Sequence, residues 1–343
     1  MHRLFSAGLI AVLAALPAGR PAQAQPLAFE GKTLTIVTSM GPGGTYDLIA
    51  RMITRHMPRF IPGSPTMVVQ NMPGAGNVLA TNYMFAIAPK DGTKIAVVNN
   101  AIPLNQMLDG KGVRYDTGKF NWLGSPVKGS NAIIVLASTG VKTMEDFLTR
   151  QVITGGIGAG SSNVIWPTAM NNVLGTRFKV VAGYQSGPDL WLAMERGETE
   201  ARTGSFSDLT SQRPQWLKDN KVVIAAQLGN TADKDLPGVP MISGLAKTEE
   251  QRKILDFIFS PIDLGQPYLA PPDTTPETLA ILRQAFHATL RDPGFLAETK
   301  KVDFDIDPIS AEDITRFVQA TVNASPEIVA KAKEAMKVPG APE

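Results

Sequence analysis

The stretch that decides the fold runs Leu34-Thr35-Ile36-Val37-Thr38-Ser39-Met40-Gly41-Pro42-Gly43-Gly44-Thr45-Tyr46-Asp47. Residues 34–37 read as a short buried strand, and the glycines close it in a tight turn that lets backbone approach a ligand. Behind the turn, Leu48, Ile49, Met52 and Ile53 recur on one side of an amphipathic helix. The start of such a helix offers unpaired N–H groups and the positive end of a dipole, which suits a carboxylate or another anion. The same logic repeats at once. Residues 67–70 form a second strand, Asn71-Met72-Pro73-Gly74-Ala75-Gly76-Asn77 a second glycine turn, and 78–88 a helical run. Two anion-friendly turns at the ends of adjacent strands make a cleft.

Strand-like runs at 34–38, 67–70, 94–98, 131–137, 152–154, 178–182 and 221–226 alternate with helical patterns at 46–57, 78–87, 143–150, 163–174 and 187–196. Alternation of this kind predicts mostly parallel sheets covered by helices, an α/β protein. Helix starts are legible in Thr143 with Asp146, Thr248 with Gln251, Thr275-Pro276-Glu277 and Ser325-Pro326-Glu327, which place a cap and an acid where the dipole favours them. The last third differs, with amphipathic helices at 276–291, 310–322 and 325–337. Residues 261–272 are extended and punctuated by proline, as a crossing between lobes would be, and a matching crossing lies near 120–127. There is no internal repeat.

Pro42 to Arg51 and Asn71 to Gly76 resemble the tripartite tricarboxylate transporter receptors, also called Bug proteins, whose motifs run P-G-G-x-x-D-x-x-A-R and N-x-P-G-A-G. Ala88-Pro89-Lys90-Asp91-Gly92-Thr93, the Gly158–Asn163 turn and Tyr184-Gln185-Ser186-Gly187 follow in the family's order. The chain departs from the pattern at Gln70 and Met72, and in 197–205, where Gly-Glu-Thr-Glu-Ala-Arg-Thr-Gly-Ser replaces a more apolar segment. The resemblance implies a periplasmic binding protein fold of the second type, two α/β lobes hinged by two crossing segments. It also implies delivery of the ligand to membrane permease subunits of a tripartite transporter, or relay to a sensor protein. The expected division is 25–126 plus 264–343 for lobe one and 127–263 for lobe two.

His2 and Arg3, the nine apolar residues from Gly8 to Leu16 and Ala22-Gln23-Ala24 compose a secretory signal peptide over 1–24. A bilayer needs about 20 apolar residues, so the run is too short to anchor the chain. Export to the periplasm of a monomer is the expectation. The sequence has no cysteine, which excludes disulfides, thiolate metal sites and a cysteine nucleophile. Of 33 basic residues two, Arg3 and Arg20, lie in the leader, so the rest of the chain balances its 31 acidic residues. No basic stripe exists to hold nucleic acid.

Gly155-Gly156-Ile157-Gly158-Ala159-Gly160 follows a strand, yet the spacing drifts from the dinucleotide fingerprint and no acid follows about 20 positions on. The better reading is a turn that delivers Ser161, Ser162 and Asn163 to a helix start, where one serine caps and the other binds. No cofactor and no metal is expected, since H-E-x-x-H is absent. His56 and His287 read as satisfied or surface histidines. Glu198 and Glu200 alternate along the chain, which leaves a secreted hydrolase as a rival to the binding protein, with an ABC-type importer's receptor as a closer one. Arg202, near the end of a strand, is read either as a bidentate clamp on a ligand carboxylate or as an ion pair with Glu198 or Glu200. Asp47 is read as a partner for a ligand amine or for the helix dipole, and Trp166 as core. The ligand site is expected from Gly43, Gly44, Thr45, Tyr46, Asn71, Gly74, Ala75, Gly76, Asn100, Ser161, Ser162, Asn163, Tyr184 and Arg202, closing on a small organic carboxylate.

Overall fold

The computed structural model describes residues 29–338 apart from 75, 76, 109, 111, 159 and 160. Among the described residues ten strands form two five-stranded sheets: β1 Thr33–Thr38, β2 Thr66–Asn71, β3 Lys94–Val97, β4 Asn121–Gly124, β5 Asn131–Leu136, β6 Val152–Gly156, β7 Phe178–Ala182, β8 Ala201–Ser205, β9 Val222–Leu228 and β10 Tyr268–Ala270. The helices are α1 Thr45–His56, α2 Val78–Ala86, α3 Ile102–Met107, α4 Asp146–Thr149, α5 Ser162–Leu174, α6 Gly187–Glu195, α7 Phe206–Gln212, α8 Pro214–Lys218, α9 Glu249–Phe259, α10 Pro276–Arg291, α11 Pro293–Lys300, α12 Ala311–Val322 and α13 Pro326–Ala335. The signal-peptide reading lies outside the described residues, and no described helix is long and apolar enough to cross a membrane.

The first sheet has the order β2-β1-β3-β10-β4, with β1 parallel to β2 and β3 and β10 antiparallel to its neighbours. Thr38 pairs with Asn71 in the last register of β1 and β2, so the two glycine turns leave the sheet side by side. The second sheet has the order β7-β6-β8-β5-β9, with β6 parallel to β7 and β8. Each sheet has an apolar cluster on either face. Ile36, Ile49, Ile53, Phe286 and Phe295 fill one side of the first sheet, and Val37, Met84, Trp122 and Leu269 the other. Ile133, Phe147, Trp166 and Phe259 fill one side of the second, and Ile134, Trp191, Leu209 and Trp216 the other. Trp166 is core, stacked edge-on against Phe259.

The two expected crossings join the lobes through backbone packed on backbone. The Ser125 hydroxyl, fully buried, donates to the Val127 carbonyl at 2.7 Å and accepts from the Gln266 N–H at 2.9 Å, so one side chain staples both crossings. A Cβ on Gly129 would lie 1.7 Å from the Ile262 carbonyl oxygen, and one on Gly265 1.8 Å from that of Val127. Gly265 also has φ +61°, a conformation side chains resist. There is a third crossing. Helix α12 packs on β4 and α3, whereas α13 packs on α9 and α5 and sets Ala332, Ala335 and Met336 into the second sheet's core. The sequence grouping put this helix with lobe one, because an amphipathic face does not say which core it completes.

Alanine at Gly129 or Gly265 is expected to cost about 2–4 kcal/mol, since rigid backbone must shift to admit the methyl group. Gly187→Ala, where a Cβ meets nothing within 4 Å, is the control and should be near neutral. Denaturant melts of the three variants check this.

Candidate functional site

In the first lobe the two turns are stitched together by one carboxylate. Asp47, its side chain 5% exposed, receives Arg51 Nε and Nη2 in a two-pronged pair at 2.9 Å each. It also accepts from the Gly43 N–H at 3.0 Å and from Asn71 Nδ2 at 2.9 Å. Asn71 donates as well to the Met40 carbonyl at 3.1 Å and accepts from Arg51 at 3.2 Å. Burial alone would raise the Asp47 pKa, but the hydrogen bonds from Arg51, Gly43 and Asn71 outweigh it and hold the carboxyl below its ordinary range. Asp47 is therefore a brace between turns, and Asn71 is spent on the same task. Arg51 was missed as a site residue, although its position four beyond Asp47 is a readable i,i+4 signal.

Gly43 has φ +87° and needs glycine for its backbone. Gly44 does not, since its φ is −85°, but a Cβ there meets nothing within 4 Å, so the first turn of α1 is open above it. Thr45 begins that turn. In the second turn Gly74 has φ +137° and Asn77 enters α2 in the left-handed region, while Ala75 and Gly76 lie outside the described residues. The Tyr46 hydroxyl donates to the Gly265 carbonyl on the hinge at 3.2 Å. Its pKa is pushed up by burial, opposed by a backbone hydrogen bond from Asn100 and reinforced by the charge of Asp208 in the second lobe.

In the second lobe the Ser161 hydroxyl contacts the Gly158 carbonyl and Asn163 Oδ1, each at 2.6 Å, and Asn163 Oδ1 accepts from the Ile157 N–H at 3.0 Å. These groups shape the 157–163 turn. Ser161 occupies the cap position without capping α5, and Ser162 opens the helix. Gly155 and Gly156 are packing glycines: a Cβ would meet Leu190 at 2.9 Å and Val164 at 2.3 Å, which is why they mimic a dinucleotide turn without being one. Tyr184 donates to Glu198 at 3.2 Å, and burial, then Glu198, raises its phenol. Arg202 pairs with neither glutamate. Its Nη2 donates to Asp208 Oδ2 at 3.2 Å, a residue the sequence reading passed over.

The capping pattern divides the longer helices cleanly. Helices α9, α10, α11, α12 and α13 each start with a Ser, Thr or Asp side chain accepting an N–H of the first turn. Helices α1, α2, α5 and α6, which follow the glycine turns and the Tyr184-Gln185-Ser186-Gly187 segment, have no side-chain cap. A cap typically contributes about 1 kcal/mol. Four starts at the strand ends forgo it and keep their donors available for a ligand.

The rival constellations are otherwise committed. Glu200 accepts from the Ile153 N–H at 2.8 Å and lies 3.7 Å from Arg150, and Glu198 holds Tyr184. His56 bridges α1 to α11 through Glu298 at 2.6 Å, and His287 is a half-buried helix residue whose pKa burial lowers. Among the described residues no group of three His, Cys, Asp or Glu is placed to hold a metal ion. A cavity of about 1060 Å³ does bridge the lobes beside the crossings, between Ser130, Phe206 and Thr210 on one side and Phe304, Asp307 and Phe317 on the other, and none of the sequence-predicted site residues lines it.

Two α/β lobes, three crossings and uncapped helix starts at the ends of parallel strands define a two-lobe binding protein. A solved TctC solute-binding protein from Polaromonas superposes with a TM-score of 0.65 at 15% identity, covering 88% of this chain and 97% of that one. MatC from Rhodopseudomonas palustris, solved with bound malate, gives 0.63 at 17% identity, covering 90% of this chain and 100% of that one. A Cupriavidus necator protein described as "UPF0065 protein in gbd 5'region" is 26% identical over 96% of this chain and 97% of its own length. A family model described as the tripartite tricarboxylate transporter family receptor matches residues 49–333, and the chain belongs to that family of solute-binding receptors.

Asp47→Asn is expected to lower stability by about 1–3 kcal/mol at neutral pH, because it leaves Arg51 half-paired. A carboxyl held below its ordinary pKa contributes stability above the unfolded-state value and loses it as pH falls through the folded-state value. The gap between wild type and Asp47→Asn should therefore narrow below about pH 4, as melts across pH 3–7 will show.

Proposed function

We propose that the protein captures a small organic carboxylate between its lobes and presents it to the membrane permease subunits of a tripartite transporter. The site is the space between the 41–47 and 71–77 turns of the first lobe and the 157–163 and 183–187 turns of the second. The observation that carries this reading is the division of caps among the helices of eight residues or more: those from α9 onward, which pack on the cores, are capped, and those at the turns are not. Malate in a relative of the same fold supports the ligand class. The bodies that move are residues 29–126 with 264–322, and 127–263 with 326–338. A ligand touching both favours the closed arrangement by the difference between its contacts in the two states. Uncharged N–H donors hold the anion without a cation, so binding should depend only weakly on salt.

A thermal-shift screen of mono-, di- and tricarboxylates and aromatic acids tests the class. A ligand at 100 times its dissociation constant adds about 2.7 kcal/mol, an easily read shift. Gly44→Val should abolish that shift while leaving the apo melting temperature near wild type, because its side chain enters open space in front of the α1 N–H groups. Unchanged affinity in Gly44→Val would remove the first turn from the site.

The leader-like segment 1–24 supports export to the periplasm, with the proposed cut after Ala24 leaving Gln25 first. Intact-mass measurement of periplasmic material checks this. A membrane-bound species that keeps residues 1–24 would rule the placement out.

A further inference from the structure

The second lobe carries a charged pair that the anion turns leave unused. Arg202 stands in β8 with its side chain 4% exposed. Its guanidinium carbon lies 4.1 Å from the centroid of the Trp191 ring, Nη2 donates to Asp208, and Nε and Nη1 meet no acceptor among the described residues. Gly204 lies on the same face of the strand, and a Cβ there would come within 2.9 Å of Nη2, so the glycine makes room for the guanidinium. A cation enclosed this way is costly unless paired, and Asp208 is the acid that pairs with it.

Asp208 has a different outlook. Its Oδ2 is held by Arg202, but the side chain is 24% exposed and Oδ1 has no hydrogen-bond partner among the described residues. It sits in the first turn of α7, directly after β8. Strand β8 runs parallel beside β6, whose end carries the 157–163 turn, so Asp208 and that turn share one edge of the sheet. From the facing lobe the Tyr46 hydroxyl, bonded to the hinge at Gly265, lies within reach of the Asp208 charge. The edge that offers N–H donors for an anion thus also presents one negative acceptor, fixed from behind by a guanidinium that is itself enclosed.

We propose that Asp208, positioned by Arg202, is the specificity-determining acceptor of the cleft and selects carboxylates that also carry a hydroxyl or ammonium donor; this rests on the carboxylate reading given above. The ligand's carboxylate goes to the uncapped helix starts. A second carboxylate brought near Asp208 is repelled, whereas a hydroxyl or ammonium donates to the free Oδ1. Arg202 acts only through Asp208, since protein encloses its nitrogens.

The test is calorimetric titration of the full mature protein with matched acids: propionate, lactate and alanine; succinate, malate and aspartate; phenylacetate and mandelate. Within the series that binds, the donor-bearing acid is expected to bind roughly ten- to a hundredfold tighter than its parent. Asp208→Asn keeps an oxygen for Arg202 but removes the charge, and should collapse the ammonium preference while improving succinate. Arg202→Lys should retain part of the discrimination, and Arg202→Met should lose it, with melting curves confirming the fold. A purely structural pair would weaken all acids by one factor and leave their ratios unchanged, which overturns the proposal. Equal binding of parent and substituted acids by the wild type, a comparison that needs no variant, overturns it as well. Binding of none of these acids or of those in the thermal-shift screen would bring down the carboxylate reading itself, and this selection with it.

Discussion

The first lobe's half of the site depends on the bonds of one buried carboxylate. Asp47 is turned back toward its own helix start, where it restrains the Gly43 turn, Arg51 on the next turn of α1 and Asn71 at the end of β2. Glycine turns are floppy by composition, because a residue without Cβ explores more backbone states than any other. Tying two of them to one fixed charge turns flexible backbone into a preset array of donors. The protein thereby bears the ordering cost at folding, which would otherwise subtract from ligand affinity.

Much of this was legible in the chain, and the part that was not has identifiable causes. Runs such as Ile36-Val37 and Val68-Val69 announce strands because β-branched residues cluster between turn residues. Strand β10 hides as Tyr268-Leu269-Ala270 amid prolines, and β4 as four residues ending in glycine. Both are short antiparallel pieces with no periodicity to read. In β8 Arg202 and Thr203 are polar, yet they are buried, since helices cover both faces of the sheet and Trp191 takes the guanidinium. The glycine turns at the strand ends were readable, but not the detail that Ser161 and Asn163 bend their own loop. A hydroxyl's partner is set by tertiary geometry rather than by sequence spacing.

The fold separates two uses of the same element. A helix start can be sealed by its own side chain or left for something that arrives later, and the choice is written in a single residue. Gly44 has no side chain to offer, and the Ser161 hydroxyl is diverted into its turn. Among the longer helices, the sealed ones pack on the cores, whereas the unsealed ones both pack on a core, as Ile53 of α1 and Met170 of α5 do, and start where the sheets end. Under the proposed binding role, a substitution at an unsealed start would leave core side chains further along the same helix, such as Ile53 and Met170, in place.

The third crossing bears on how the chain acquires its shape. The first sheet needs β10, which is made only after the entire second sheet, and the second lobe's core needs α13, the last described helix. The first lobe cannot be completed before the chain has been made as far as α12, nor the second before α13. A chain made or threaded from its N-terminus would keep both lobes open until α12 and α13 emerge, and they would then close almost together. Late closure also makes loss of α13 a defect of both the second lobe's core, which needs Ala332, Ala335 and Met336, and the link between lobes.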